Sequence, residues 1–180
     1  SHLENKYKKI DILINNAGIR VSGNLEKTSL DLWNHVLTTN TTSMFLGCKY
    51  ILRLLKKSKC ASIVNSASIT SIRGAKNMLA YATSKSAIVS FTSSLALDLV
   101  KDKIRVNAVA PGAIDTQMVE TLKKEINSIS KYNKRMSEAH PIGRIGYPQE
   151  VANVICFLAS EEASFMTGST IPVDGGRSIR

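Results

Sequence analysis

The chain has 180 residues, an apolar fraction of 43% and a formal net charge of +10. This composition allows a folded domain with a real core and argues against disorder or a collagen-like structure. The basic residues are scattered, without a basic stretch that alternates with aromatic residues, and Lys49 and Arg53 interrupt the longest apolar stretch. We therefore expect neither a nucleic acid nor a membrane as partner, whereas the positive charge favours the approach of anionic small molecules.

The three cysteines, Cys48, Cys60 and Cys156, lie far apart and form no C-x-x-C pair. Neither a disulfide framework nor a zinc site is indicated, and the histidines likewise lack a ligand spacing. The first residues are charged and include no secretory hydrophobic region. These features predict reduced thiols, no metal and a cytoplasmic location.

Apolar runs and helical periodicities alternate along the chain, and turn residues often close them. In chain order the pattern predicts a strand at 10–15, helices at 29–36 and 41–57, a strand at 62–65, a helix at 79–100, a strand at 104–109, a helix at 149–160 and a strand at 169–173. Strands that alternate with helices predict a parallel sheet covered on both faces. No repeat or linker divides the chain, so we treat 1–180 as one structural unit.

The first predicted strand, 10–15, is apolar on both faces, which is typical of a strand buried in the middle of a sheet. At the edge of a sheet such a strand would expose unpaired backbone groups. One neighbour of this strand is missing from the predicted elements.

Tyr81 and Lys85 lie four residues apart in Y-A-T-S-K, on one face of the predicted helix. A phenol with a pKa of about 10 is a poor base at neutral pH, and a nearby ammonium favours the phenolate and lowers that pKa. Such a tyrosine can exchange a proton with an alcohol or carbonyl oxygen while hydride moves. The pair alone would equally suit a solvated helix face.

Further motifs accompany the pair. N-N-A-G occupies 15–18, Asn40 lies in the helical region after it, Ser68 lies thirteen residues before Tyr81, and the dipeptide Pro111-Gly112 precedes Thr116. The chain closes with T-G-S-T-I-P-V-D-G-G over 167–176. Each motif has a simpler explanation, as a turn, a helix cap or a loop hydroxyl. Together and in this order they resemble the short-chain dehydrogenases/reductases along essentially the whole chain.

The resemblance implies a doubly wound α/β fold of the Rossmann-like type and hydride transfer with NAD or NADP. It implies that Tyr81 is the acid/base and that Lys85 lowers its pKa and holds the nicotinamide ribose. It further implies that Ser68 orients the substrate oxygen, which Tyr81 also contacts, and that Asn40 holds a water for a proton relay. The residues that it places against the cofactor are Asn16, Ala17, Gly18, Tyr81, Lys85, Pro111, Gly112, Ile114 and Thr116.

One family motif is absent from these 180 residues, the T-G-x-x-x-G-x-G loop that receives the pyrophosphate at a helix N-terminus. We therefore expect the chain to be the C-terminal portion of a longer polypeptide, beginning just before the family's fourth strand, and to bind no dinucleotide by itself. The alternative is a natural truncated protein with a non-catalytic binding or scaffold role. The residue that separates NAD from NADP follows the family's second strand, so both cofactors remain candidates.

The segment 117–148 carries substrate specificity in the family. Met118, Leu122, Ile126 and Ile129 recur at helical spacing there, which predicts either a lid over the site or a surface helix. The motifs A-K-N at 75–77, H-P at 140–141, R-I-G at 144–146 and the ending D-G-G-R-S-I-R resemble glucose or aldohexose dehydrogenases. Reduction of 3-oxoacyl thioesters is the alternative. The two long helices at 41–57 and 79–100 lead us to expect a homotetramer or homodimer.

Overall fold

The computed structural model describes residues 2–116 and 129–180. The helices in these residues are α1 (His2–Lys6), α2 (Leu30–Leu37), α3 (Ser43–Leu55), α4 (Leu79–Leu99), α5 (Ile129–Ala139) and α6 (Pro148–Ala159). The strands are β1 (Ile12–Asn15), β2 (Ser62–Ser66), β3 (Arg105–Pro111) and β4 (Thr170–Val173). Each predicted strand and helix is present with its ends shifted by at most two residues, and α1 and α5 were not predicted.

The four strands form one parallel sheet in the order β1-β2-β3-β4. Alternate side chains of β2 point to opposite faces, where Ile63 packs with residues of α3 and α4, and Val64 packs against α6. Val106 and Val109 of β3 divide between the two faces in the same way. The prediction of a parallel sheet with helices on both faces is therefore confirmed.

β1 forms one edge of the sheet in the described part of the chain, because it pairs there with β2 alone. The prediction of burial on both of its faces is wrong. Leu13 packs against the α3 and α4 side, whereas Ile12 and Ile14, on the α6 side, stay 47% and 46% exposed. The reason is that α6 covers the inner strands of the sheet and leaves this face of β1 open.

α2 and α3 are joined without a break by a π-helical turn, Thr38–Thr42. The sequence pattern predicted two separate helices here, because T-T-N-T-T has neither apolar periodicity nor strong helix formers. Ser29, the first residue of the predicted helix, is the N-cap of α2, and its hydroxyl accepts a hydrogen bond from the Leu32 amide at 3.2 Å. A π turn inside an α-helix often marks a functional position, and this one holds Asn40, which is 1% exposed.

Part of the predicted lid helix lies outside the described residues, since Met118, Leu122 and Ile126 belong to 117–128. α5 begins at Ile129 and continues to Ala139. Within the described ranges, no helix combines the length and the apolar character that a membrane span requires.

Candidate active site

The predicted site residues gather at the edge of the sheet where the parallel strands end. Asn16, Ala17 and Gly18 directly follow β1, Ser68 follows β2, and Pro111 is the last residue of β3. The carboxyl ends of parallel strands are where α/β sheets bind their ligands. The topology therefore brings together motifs that lie up to about one hundred residues apart in sequence.

A chain of side-chain hydrogen bonds connects the strand ends at this edge to α4. Asn15 and Asn65 are paired in the register of β1 and β2, and the Asn15 amide donates to the Asn65 side-chain oxygen at 2.8 Å. Asn65 in turn donates to the Thr92 hydroxyl of α4 at 2.9 Å. Because Asn65 and Thr92 are fully buried, these bonds fix the strand ends against α4.

Tyr81 and Ser68 form the centre of the site. Tyr81 lies in the first turn of α4 and is 8% exposed, and Ser68, at 7%, follows β2. The Ser68 side chain lies close enough to the Tyr81 phenol to lower its pKa. The Ser68 hydroxyl also accepts a bond from the Thr70 amide at 3.2 Å, which fixes its direction. Two adjacent hydroxyls, one of them phenolic, can hold a single carbonyl or alcohol oxygen.

The pKa of Tyr81 differs from the sequence-based interpretation. Burial raises this pKa above its ordinary value, while the Ser68 side chain and the positive charge of Arg20 partly oppose the rise. Lys85, whose ammonium lies 5.9 Å from the centre of the Tyr81 ring, is not among the groups that act on this pKa here, and its lowering effect stays a prediction. The phenol is therefore protonated at neutral pH.

Lys85 lies one turn after Tyr81 on the same helix face, as predicted from the spacing, and is 5% exposed. Its ammonium donates to the Ser66 carbonyl oxygen at 2.7 Å. Burial lowers the pKa of Lys85 to about 8. An ammonium in this setting is incompletely solvated, so it can donate hydrogen bonds to further oxygen atoms.

Asn40 ties the loop after β1 to α4. Its amide donates to the Ile19 carbonyl and to the Ser84 hydroxyl, both at 2.9 Å, and its oxygen accepts from the Ile19 amide at 2.8 Å. Both amide protons are thus used inside the protein. The proton relay that the resemblance implies for Asn40 stays a prediction, and the role seen here is to position the loop.

Gly18 is closely surrounded by two of these side chains. A β-carbon at this position would lie 3.1 Å from the Asn40 oxygen and 3.4 Å from the Lys85 ammonium. A larger residue would therefore crowd the site. Asn16 and Ala17, just before it, are exposed.

The remaining predicted cofactor residues form a second group, around His140. The Ala113 amide, next to Gly112, donates to His140 Nε2 at 3.1 Å, and His140 Nδ1 lies 2.6 Å from the Met136 carbonyl oxygen. This pattern assigns the proton to Nδ1. Ile114 forms a backbone bridge to Gly146, and the Thr116 hydroxyl donates to the Ile114 carbonyl at 3.4 Å. The sequence analysis used His140 only as a branch motif and missed this positioning role.

The sequence analysis also missed Arg20, which comes two residues after Gly18. One terminal nitrogen of its guanidinium contacts the Met78 sulfur at 3.6 Å, and the other, NH1, is buried without a hydrogen-bond partner. Its position directly after N-N-A-G-I was the available signal. In the part of the chain that the structure describes, no group of three potential metal ligands occurs.

Comparison with known proteins gives one family. The family model described as enoyl-(acyl carrier protein) reductase matches residues 1–178. The 3-oxoacyl-[acyl-carrier-protein] reductase FabG of Chlamydia pneumoniae is 41% identical over 171 residues, which are 95% of this chain and 66% of the relative. The chain thus spans about two thirds of the length of this curated relative.

Solved structures agree in fold. The aldohexose dehydrogenase of Thermoplasma acidophilum, solved without ligand, superposes with a TM-score of 0.94 at 40% identity, covering 99% of this chain and 72% of that one. The protein ElxO, solved with NADP bound, superposes with a TM-score of 0.90 at 32% identity and covers 99% and 71% of the two chains. The described sheet and helices are therefore those of a known group of enzymes.

Proposed function

The chain belongs to the short-chain dehydrogenase/reductase family, and on this premise we propose that the full protein transfers hydride between a nicotinamide cofactor, NAD or NADP, and a secondary alcohol or carbonyl carbon. The observation that carries the proposal is the placement of the buried Ser68 beside the buried Tyr81, with the buried Lys85 one helix turn later. The names of the relatives also speak for an oxidoreductase and against the scaffold alternative.

Tyr81 acts in this proposal as the proton donor and acceptor. Its raised pKa keeps the phenol protonated at neutral pH, which is the form that can give a proton to a carbonyl oxygen. Ser68 holds the same oxygen by a hydrogen bond and so orients the carbonyl toward Tyr81. In the reverse direction Tyr81 takes the proton of the alcohol.

The residues around Lys85 fit a cofactor that offers hydroxyl groups. The Lys85 ammonium is buried with a single backbone acceptor, and Gly18 keeps the adjacent space free of a side chain. We assign the nicotinamide ribose to Lys85, and the carboxamide end to the loop that Pro111, Gly112, Ile114 and Thr116 form. A bound dinucleotide supplies or accepts the hydride.

Two substrate classes have support from individual comparisons. The 3-oxoacyl thioesters are suggested by the name of the 41% identical relative, and the aldohexoses, which the sequence motifs favour, by the name of the 40% identical protein of solved structure. We expect the full protein to oxidise NADH or NADPH when it is given at least one compound from a panel of carbonyl compounds, or to reduce NAD or NADP when it is given an aldohexose. The change in absorbance at 340 nm measures both reactions.

The panel should include an acetoacetyl thioester, glucose, and small ketones with and without an acid group. The compound with the highest kcat/KM identifies the class. Absence of turnover with all of them, in a protein that still binds the dinucleotide, would contradict the proposed reaction.

A homo-oligomer is part of the proposal. α3 exposes Phe45 and Tyr50, at 44% and 66%, and Leu97 near the end of α4 and Val100 directly after it are 77% and 56% exposed. Burying such apolar side chains between subunits is favourable. We expect light scattering to give the mass of a dimer or tetramer at micromolar concentration, and Tyr50→Glu to shift it toward the monomer. A wild-type protein that is monomeric under these conditions would contradict the prediction.

The cysteines support a proposal for the cellular compartment of the protein. Cys48, Cys60 and Cys156 are all free. Reduced cysteines are the rule in the cytoplasm and are uncommon in secreted proteins. They support the proposal of a cytoplasmic enzyme that acts on a small-molecule substrate.

A further inference from the structure

Arg20 lies on a loop that is fixed at both ends. The Asn40 side chain holds the backbone of Ile19, just before it. Farther along, the Gly23 amide donates to the Asn77 carbonyl at 2.8 Å, and the Leu79 amide donates to the Gly23 carbonyl at 3.1 Å. The loop after β1 is therefore attached to the segment that enters α4, just before Tyr81.

The guanidinium of the half-buried Arg20 has an unusual set of partners. One nitrogen contacts the Met78 sulfur at 3.6 Å, which is a weak acceptor, and NH1 is buried without any hydrogen bond. An arginine stays charged at every physiological pH. A buried donor without a partner is costly and needs an explanation.

Two other arginines show how this chain satisfies a guanidinium for structural purposes. Arg105 donates to the backbone carbonyls of Leu158 and Ser160, at 2.7 and 2.8 Å, and so caps the end of α6. Arg144 forms two bonds to the Glu150 carboxylate, at 2.9 and 2.7 Å. Arg20 has no such carbonyl or carboxylate among the described residues, and the contacts seen there give it no structural role.

We propose that Arg20 binds a carboxylate of the substrate and thereby selects an acid whose charged group lies near the carbon that reacts at Ser68 and Tyr81. The contact of its guanidinium with Met78, three residues before Tyr81, favours a substrate ligand. The electrostatic effect of Arg20 on Tyr81 agrees with a position close to the phenol. The inference rests on the proposed function, and among carbonyl compounds it favours oxo acids over the thioesters and aldohexoses that the relatives' names suggest.

A carboxylate suits the site better than a phosphate. A single charge neutralises the single unpaired charge of Arg20, whereas a phosphate dianion would leave a further negative charge in a buried setting. A guanidinium also matches the planar carboxylate in geometry. In the reaction, hydride from NADH or NADPH reaches the carbonyl carbon, Tyr81 gives a proton to the oxygen, and a hydroxy acid and the oxidised dinucleotide result.

Matched probes test the assignment by charge alone. Acetoacetate is compared with methyl acetoacetate, and 2-oxobutanoate with its methyl ester, by calorimetric titration of the Tyr81→Phe protein with dinucleotide bound, so that no turnover interferes. We expect at least one acid to bind about 10- to 100-fold more tightly than its ester, as for a charge-assisted hydrogen bond. Arg20→Gln should remove that difference, and Arg20→Lys should keep part of it.

The controls separate recognition from general effects. Lys27→Gln removes the same charge from an exposed position on the chain and should leave the preference unchanged. In otherwise wild-type protein, Arg20→Gln should lower kcat/KM for the acid much more than for the ester. It should not unfold at a lower denaturant concentration than the wild type, because one terminal nitrogen has no partner to lose.

Several results would overturn the proposal. These are equal binding of acid and ester in both pairs, an equal loss for both in Arg20→Gln, or tighter binding of hydroxyacetone phosphate than of either acid. Unfolding of both the Gln and the Lys variants would instead assign Arg20 a structural role and overturn it as well. Tight acid binding without turnover in the wild type would leave the Arg20 assignment intact and contradict only the proposed reaction.

Discussion

Replacing Tyr81 by phenylalanine in the full protein is expected to lower kcat about 1,000-fold, which is within the range of a lost general acid or base. The change removes one oxygen atom, and with it the only group of the proposed mechanism that exchanges a proton with the substrate oxygen. Dinucleotide affinity should change little, because phenylalanine keeps the ring and leaves the buried Lys85 and the space beside Gly18 unchanged. Steady-state kinetics and dinucleotide titration measure the two quantities.

Tyr7→Phe is the matched control, since Tyr7 is 46% exposed and lies outside the site. It should keep wild-type kcat. A Tyr81→Phe protein with undiminished turnover would remove the acid/base assignment. A protein that loses dinucleotide binding together with turnover would show that Tyr81 contributes mainly to the cofactor site.

The pKa of Tyr81 also predicts the pH dependence of the reduction. The phenol must be protonated to donate, and its pKa is raised in the folded protein. The reductive rate should therefore hold through neutral pH and fall as the pH rises through this pKa. A reductive rate whose optimum lies below pH 7 would contradict a protonated Tyr81 as the donor.

Replacing Lys85 by methionine is expected to stabilise the free protein while it abolishes activity. Burial lowers the pKa of Lys85 from 10.5 to about 8, and a shift of this size corresponds to a cost of about 3 kcal/mol for keeping the charge buried. Methionine has a similar length and no charge, but it forfeits the bond to the Ser66 carbonyl. We expect a net gain of about 2 kcal/mol in the free energy of unfolding at pH 7, and a fall in kcat/KM of about 100-fold or more.

Denaturant unfolding without dinucleotide measures this gain, and its pH dependence gives a second signature. Between about pH 8 and 10.5 the unfolded wild type binds more protons than the folded protein, so wild-type stability rises with pH in this window. The difference in the free energy of unfolding between the methionine variant and the wild type should therefore shrink over this window. Lys101→Met, at an exposed position after α4, should change stability by less than about 0.5 kcal/mol. A destabilised Lys85→Met would contradict the assigned burial cost.

Much of the fold could be predicted because its signals are local. The apolar runs that became β2 and β3 are bounded by turn residues, and the four-residue spacing of Tyr81 and Lys85 places them on one face of any helix. Ser68 could be assigned only through the order of several motifs. Its position beside Tyr81 depends on the parallel register, which no single segment contains.

The features that sequence reasoning missed depend on tertiary surroundings. The partners of Arg20 are set by Met78, which is 58 residues away in the chain. The direction of the Tyr81 pKa depends on how deeply α4 buries the phenol, and the pattern Y-x-x-x-K carries no information on burial. The role of His140 requires the close approach of Ala113 from another element.

The π turn between α2 and α3 constrains the length of this segment as well as its composition. A π turn contains one residue more than the α-helix around it needs. Deleting one residue from Thr38–Thr42 would therefore give a regular α-helical turn and leave α3 in nearly its present direction relative to α2. The deletion would instead displace Asn40, which lies in the π turn, and so weaken the attachment of the loop after β1 that Asn40 holds.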